Sequence, residues 1–289
     1  MTPEGGARAL HALSFDIEEF FHSSNLTGAI TPQDWPDLPS RVEPRTYWLL
    51  DLLASTNQHA TFFVLGWVAE RHPQLISAIG RGGHEIASHG YGHLPVYRQT
   101  PGEFREDIRR AKRVLEDLHA TSVVGYRAPT YSIVRGSLWA LDVLVDEGYR
   151  YDSSIFPVYH DRYGIPAAPR HPFRFRNGLV EFPLSTWQGP GIRLPIGGGG
   201  YFRLFPYALM RGAFRALERE NLPGIFYLHP WDLDSDQPLA GVSPLQRWRQ
   251  TVGSARAPRK LERFLREFRF APVGTVLAGL PLRECGLCE

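Results

Sequence analysis

The chain is poor in cysteine, in long apolar runs and in surplus charge. Its two cysteines, Cys285 and Cys288, both fall in the last five residues as "CGLC". Structural disulfides therefore do not hold this fold together. With no second pair and no strand–helix context, the C-x-x-C reads as an incidental tail rather than a zinc half-site or redox motif. The longest apolar run, "ATFFVLGWVA" at 60–69, falls well short of the roughly 18 residues a spanning helix needs. Lys and Arg number 32 against 30 Asp and Glu, a formal net charge of +2. No run of like charge supplies the concentrated basic face that nucleic-acid binding requires, so nucleic acid is not expected as a partner. The opening "MTPEGGARALHALSFDIEEFF" lacks a charged start, an apolar stretch and a small-residue cleavage site. It does not read as a signal peptide, and the expectation is a cytoplasmic protein acting near the inner membrane. "GGGG" at 197–200 is not a phosphate loop, because no Gly-Lys-Ser/Thr follows it. It reads as a place where backbone passes close to substrate or to a neighbouring loop.

What is present is an alternation of short β-rich runs with helical patterns, the signature of a parallel α/β fold. Strands are expected at 11–18, 59–66, 84–89, 123–129, 151–156, 179–186 and 223–230. Helices are expected at 45–56, 73–83, 101–118, 137–149, 206–221 and 258–268. About seven β/α units fit a single barrel-like domain over 1–289, with a helical extension from about 240. In such barrels chemistry gathers at the C-terminal ends of the strands.

Four of those ends carry unusual polar groups: "SFDIEEF" (14–20), "SHGYGH" (88–93), "YRAPTY" (126–131) and "YLHPW" (227–231). Side chains two apart on a strand share a face, so Asp16 and Glu18 project together and Glu19 points away. Two carboxylates on one face repel unless a cation lies between them or their roles differ. His89 and His93 have the four-residue spacing by which one helical turn brings two imidazoles to one ion. The same spacing also suits an ordinary surface turn. Arg127 reads either as a surface ion-pair residue or as a clamp on a buried carboxylate. His229 reads as a satisfied core histidine or as a group entering the active rim.

Taken in order, these motifs resemble the polysaccharide deacetylases of carbohydrate esterase family 4, the NodB-homology enzymes, over about residues 10 to 235. The segments "SSIFPVYHDRYGIPAAPR" and "GGGGYFRLFPY" resemble the branch linked to exopolysaccharide clusters associated with exosortase. The resemblance implies a distorted (β/α)7 barrel that removes N-acetyl groups from GlcNAc-type polysaccharides or oligosaccharides. It makes Asp16 the catalytic base, Arg127 the residue that orients it, and His229 the acid, supported by Asp152. It also makes His89 and His93 metal ligands and places Leu228 against the acetyl group. Where many relatives have a second, adjacent aspartate as ligand, this chain has Ile17; Glu18 then becomes the third ligand, in agreement with the strand-face argument. Thr130 stands where many relatives have tyrosine, and its backbone N–H would serve the oxyanion. Tyr131 and Trp231, like Trp187 and Tyr201, are either sugar platforms or core. The metal implied is divalent, zinc first, with cobalt, nickel, manganese or iron compatible with the same ligands. Two other readings stay open: an allantoinase-like cyclic amide or ureide hydrolase, and a catalytically silent sugar-binding protein of a polysaccharide export system.

Overall fold

Residues Ala12 to Ile17 are all buried, as expected of a strand enclosed on both faces at the centre of a parallel sheet. The computed structural model describes residues 9–160 and 162–286, so Cys288 of the tail and Asp161 of "HDRYG" lie outside the described residues. In chain order the first half folds as β1 (Leu10–Ile17), α1 (Val42–Thr56), β2 (Thr61–Val64), α2 (Gly66–Arg71), α3 (Pro73–Arg81), β3 (Glu85–Ser88), α4 (Pro101–His119), β4 (Gly125–Tyr126), α5 (Ala140–Asp146) and β5 (Tyr151–Asp152). The second half adds β6 (Phe173–Arg174), β7 (Val180–Glu181), β8 (Thr186–Gly189), β9 (Ile192–Pro195), α6 (Gly199–Leu204), α7 (Tyr207–Arg219), β10 (Ile225–Leu228), α8 (Pro244–Thr251), α9 (Ala257–Glu267), β11 (Arg269–Ala271) and α10 (Val273–Ala278). None of the helices among the described residues is long and apolar enough to cross a membrane.

Local signals place the helices. α4 starts at a reciprocal cap: Thr100 accepts from the N–H of Glu103, and the Glu103 carboxylate accepts from the N–H of Thr100, with Pro101 in the first turn. It then buries Phe104, Ile108, Ala111 and Leu115 along one stripe. α9 does the same with Leu261, Phe264 and Leu265.

Seven strands run parallel in the order β10-β1-β2-β3-β4-β5-β7, and β6 joins β7 antiparallel. This is the distorted seven-stranded barrel expected, in a single mixed α/β domain. Three expected strands shrink to two-residue strands: 123–129 to β4, 151–156 to β5, and 179–186 to β7, with Thr186 starting β8. In the last, Pro183 removes a ladder donor two residues after the paired Val180–Glu181. The segment from about 240 was expected to be helical; it forms α8, α9 and α10 but also β11, which pairs with the start of β1.

The curl between β7 and β10 is closed by irregular backbone. The N–H of Ile196 donates to Ser185 (3.0 Å), and the N–H of Tyr227 in β10 donates to Gly197 (2.7 Å). Here the glycine run finds its reason. Gly198 has φ 138°, and a Cβ there would lie 1.8 Å from the Tyr227 carbonyl oxygen. The close approach is to a neighbouring strand. Gly198→Ala is expected to cost more than about 3 kcal/mol, read as a loss of urea midpoint or a failure to fold.

Candidate active site

The site forms where β1, β3, β4 and β10 end together. Asp16 and Glu18 are 1% and 2% exposed and line one cavity of about 260 Å³ with His89, His93 and His229. Glu19 turns the other way, as the strand pleat requires. Its carboxylate accepts from the N–H groups of Arg41 (2.8 Å) and Val42 (3.1 Å), capping the positive end of α1.

Arg127 follows β4 and is fully buried. Its Nη1 donates to Asp16 Oδ1 at 2.6 Å and to Ser14 Oγ at 2.9 Å; its Nε and Nη2 reach the carbonyl and hydroxyl of Ser153. The guanidinium also lies 4.1 Å over the Phe63 ring. Every face of this buried cation is thus engaged.

His89 directly follows β3, and its Nδ1 lies 2.9 Å from the Arg127 carbonyl oxygen. A carbonyl only accepts, so Nδ1 carries the proton and Nε2 presents a lone pair to the cavity. The spacing to His93 was expected to act through a helical turn. The segment is instead a non-helical turn with positive φ at Gly90 (77°) and His93 (52°). Asp107 of α4 holds it, accepting from the N–H groups of Tyr91 (2.8 Å) and Gly92 (3.1 Å). The two rings still converge, with centroids 5.5 Å apart.

Glu18 joins them. Its Oε2 lies 2.7 Å from His93 Nε2 and 3.6 Å from His89 Nε2, yet it takes part in no aligned hydrogen bond. Candidate ligand atoms of the three residues all lie within 4.8 Å of one another. Trp231 donates its Nε1–H to Glu18 Oε1 at 3.0 Å. Burial works against the charge on Glu18, but the imidazoles of His93, His229 and His89 hold its carboxyl well below the usual range.

His229 follows β10. Its Nδ1 lies 2.8 Å from Asp232 Oδ2, while Nε2 lies 3.8 Å from Asp16 and 3.7 Å from Glu18. Trp231 stacks on its ring at 4.3 Å between centroids. Burial alone would lower its pKa; the carboxylates of Glu18, Asp232 and Asp16 outweigh that and push it up to about 9. Asp232 is in turn 2.7 Å from Arg203 Nε of α6.

Two expected assignments change. Asp152 does not support His229; Asp232 does. Asp152 is on β5, away from the cavity lining, hydrogen-bonded to Ser154 Oγ (2.5 Å) and to Glu181 of β7. Leu228 does not line the cavity. It is fully buried in the main core, because the strand pleat sends Tyr227 and His229 to the cavity side and Leu228 to the other. Thr130 and Tyr131 both line the cavity and both have positive φ, 57° and 52°. Such backbone is unfavourable for a β-branched residue. Tyr131 is also largely core, packed edge-on against Tyr227, Tyr163 and Phe156.

Asp232 was legible three positions after His229, one residue beyond the "YLHPW" run. Arg203 carried no local signal, being 26 positions from the histidine it serves.

Residues 29–151 match the family model described as "Polysaccharide deacetylase", and residues 153–278 match a domain of unknown function (DUF3473). That first region thus carries a polysaccharide deacetylase domain. The deacetylase model spans His89, His93 and Arg127, whereas His229 and Asp232 fall in the second region. A peptidoglycan-N-acetylglucosamine deacetylase of Bacillus cereus is 33% identical over 115 residues, 39% of this chain and 40% of that protein. The chain thus spans about two fifths of that curated relative's length. Among solved structures, a Mycobacterium smegmatis protein provisionally assigned as a polysaccharide deacetylase superposes with a TM-score of 0.66 at 21% identity, covering 100% of this chain and 97% of that one. The allantoinase Puue superposes with a TM-score of 0.61 at 16% identity, covering 95% and 93%. At these identities both show the shared fold alone.

The buried core also contains an acid pair. Burial raises the pKa of Asp152 to about 6 and, with the neighbouring Asp152 charge, that of Glu181 well above its ordinary 4.5. One of the two therefore holds a proton in the folded state. Because the folded protein binds that proton more tightly than the unfolded chain, its stabilisation is present below about pH 4.5 and is lost as pH rises through the folded values. Glu181→Gln keeps an acceptor for the Ile155 N–H, 3.0 Å from Glu181 Oε1, and supplies a permanent donor to Asp152. It is expected to flatten the fall in stability as pH rises above about 6 and so to stabilise the protein relative to wild type on the alkaline side, as read by urea unfolding across pH.

Proposed function

We propose that the chain is a metal-dependent hydrolase that removes N-acetyl groups from N-acetylated glycans. The observation that carries this reading is the convergence of Glu18, His89 and His93 in one cavity, with Asp16 and His229 beside them. Two imidazoles and one carboxylate are a ligand set that leaves positions open for water and substrate. The donors fit a cation: His89 turns a lone pair inward, and Glu18 has a buried oxygen in no aligned hydrogen bond. A divalent ion seated there supplies Lewis acidity to the acetamide carbonyl and acidifies an adjacent water. Zinc leads the candidates, and cobalt, nickel, manganese and iron suit the same donors.

The chain's own residues do the rest. Asp16, anchored through Oδ1 to Arg127, takes the proton of the attacking water. The N–H of Thr130, on the cavity wall, is assigned to the developing oxyanion. His229, held by Asp232 with Nδ1 protonated, gives the proton at Nε2 to the departing sugar amine. Each proton transfer of this kind is worth roughly 10²–10⁴-fold. Proposed base, acid and ligands in one cavity, with Arg127 buried behind the base, favour an enzyme over a silent sugar-binding protein. A role in exopolysaccharide synthesis rests on the two branch-like segments, both of which lie in the 153–278 region.

Acetate release from N-acetylglucosamine oligomers, with and without added zinc, cobalt or manganese, tests the reading. Full activity in excess chelator, with no metal found by elemental analysis, would sink it. His89→Ala is expected to lose bound metal and at least about 100-fold in kcat/KM. Asp232→Asn removes a carboxylate that raises the pKa of His229. The alkaline limb of the pH–rate profile should then move to lower pH by about one unit or more.

A further inference from the structure

The cavity that holds the reacting groups is one of three that run together. A second, along Phe21, Trp35 and Tyr97, shares Ser23, Ser24, His93, Thr130 and Arg162 with it. A third, beside Arg135 and Gly136, shares His160, Arg162 and Tyr163 with the first. Arg162 lines all three.

Among the described residues, the exposed charges on this continuous face are one-sided. Exposed Arg162 and Arg249 line the first cavity, and Arg98 and Arg135 line the outer two. Among the described residues, the carboxylates lining these cavities are Asp16 and Glu18, both buried and both engaged with Arg127, His93 or Trp231. Among the described residues none of the four arginines has a carboxylate partner within salt-bridge distance. Elsewhere on the surface some arginines are paired, such as Arg105 and Arg109 with Glu147 and Arg110 with Glu70. Others, such as Arg81, Arg113 and Arg219, are exposed with no carboxylate within salt-bridge distance among the described residues. What sets this face apart is that four such arginines line the cavities around the reacting groups. In a chain of net charge +2, gathering four of them around one continuous cleft is a feature that composition does not require. A cleft lined by one sign concentrates ligands of the other.

Two of the four are also held in place. Arg162 Nη1 donates to Ser24 Oγ at 3.2 Å. Buried Arg203 pins the segment that carries Arg249, donating to the carbonyls of Arg249 (3.2 Å), Gln250 (2.8 Å) and Val252 (2.9 Å). The same Arg203 pairs with Asp232, which orients His229. One guanidinium therefore links the acid to the segment presenting Arg249.

We propose that this face selects an anionic N-acetylated glycan, in which a carboxylate or phosphate close to the N-acetylated sugar is bound by Arg162 and Arg249. The inference rests on the deacetylase reading for its sugar and on the arginines for its charge. The arginine fork suits either planar carboxylate or phosphate oxygens, so the probes must separate them.

Calorimetric titration of the full chain is made with a neutral N-acetylglucosamine tetramer, an N-acetylglucosamine–glucuronate tetramer, and an N-acetylglucosamine oligomer with a terminal phosphate. At least one anionic probe is expected to bind tenfold or more tighter than the neutral one, and which one does identifies the anion. Arg162→Gln and Arg249→Gln should each erode that advantage by roughly three- to tenfold, as should raised salt. Arg81→Gln, at the far end of the sheet, should leave it intact. Equal binding of all three probes, or an advantage that survives the double variant, overturns the proposal. Acetate release followed in parallel keeps the two readings apart. Acetate from the neutral oligomer without anion preference refutes the charge selection; anion preference without acetate from any probe refutes the deacetylase.

Discussion

The site hangs on the buried pair between Arg127 and Asp16. A guanidinium with no exposure must have its charge and its donors satisfied internally, or the fold loses several kcal/mol. Here Asp16, Ser14 and Ser153 satisfy it, tying β1, β4 and the residues after β5 to one group. The same residue's carbonyl oxygen sets the tautomer of His89. The proposed base and one imidazole are thus fixed by a single residue. A shift of that residue would move the Asp16 carboxylate and the His89 ring together.

Around that pair the site is a balance of buried charges. Glu18 and Asp16 stand near one another at the end of β1, an arrangement that needs positive charge between or beside them. His93 and His229 supply some of it, and the field of the carboxylates is returned in the raised pKa of His229. Arg203 on Asp232 continues the alternation outward. The outer arginines extend it to the surface, where no described acid answers them. From the core outward, each carboxylate meets a cation until the last cations face solvent.

Much of this was legible along the chain. The strand pleat put Asp16 and Glu18 on one face and Glu19 on the other, and the structure uses Glu19 as a helix cap. Helix stripes such as Phe104, Ile108, Ala111 and Leu115 read directly, because one periodic face has one place to go. The histidine pair was legible by spacing but not by shape. The turn between them is not helical, and its conformation depends on Asp107 from α4. Asp152 and Leu228 show the limit more plainly. Both sit next to functional positions in sequence or strand, yet Asp152 meets Glu181 and Leu228 points into the core.

By itself the sequence determined the class of fold, the strand ends where polar groups collect, and the types of side chain available there. Those are properties of short-range period and composition, carried within a few residues of each group. The tertiary structure alone decided who partners whom: Asp232 rather than Asp152 on His229, Arg203 behind Asp232, and Gly198 against Tyr227 where the barrel closes. Partner choice depends on which distant segments the curl of the sheet brings within about 3 Å, the reach of a hydrogen bond, and no local pattern encodes that distance.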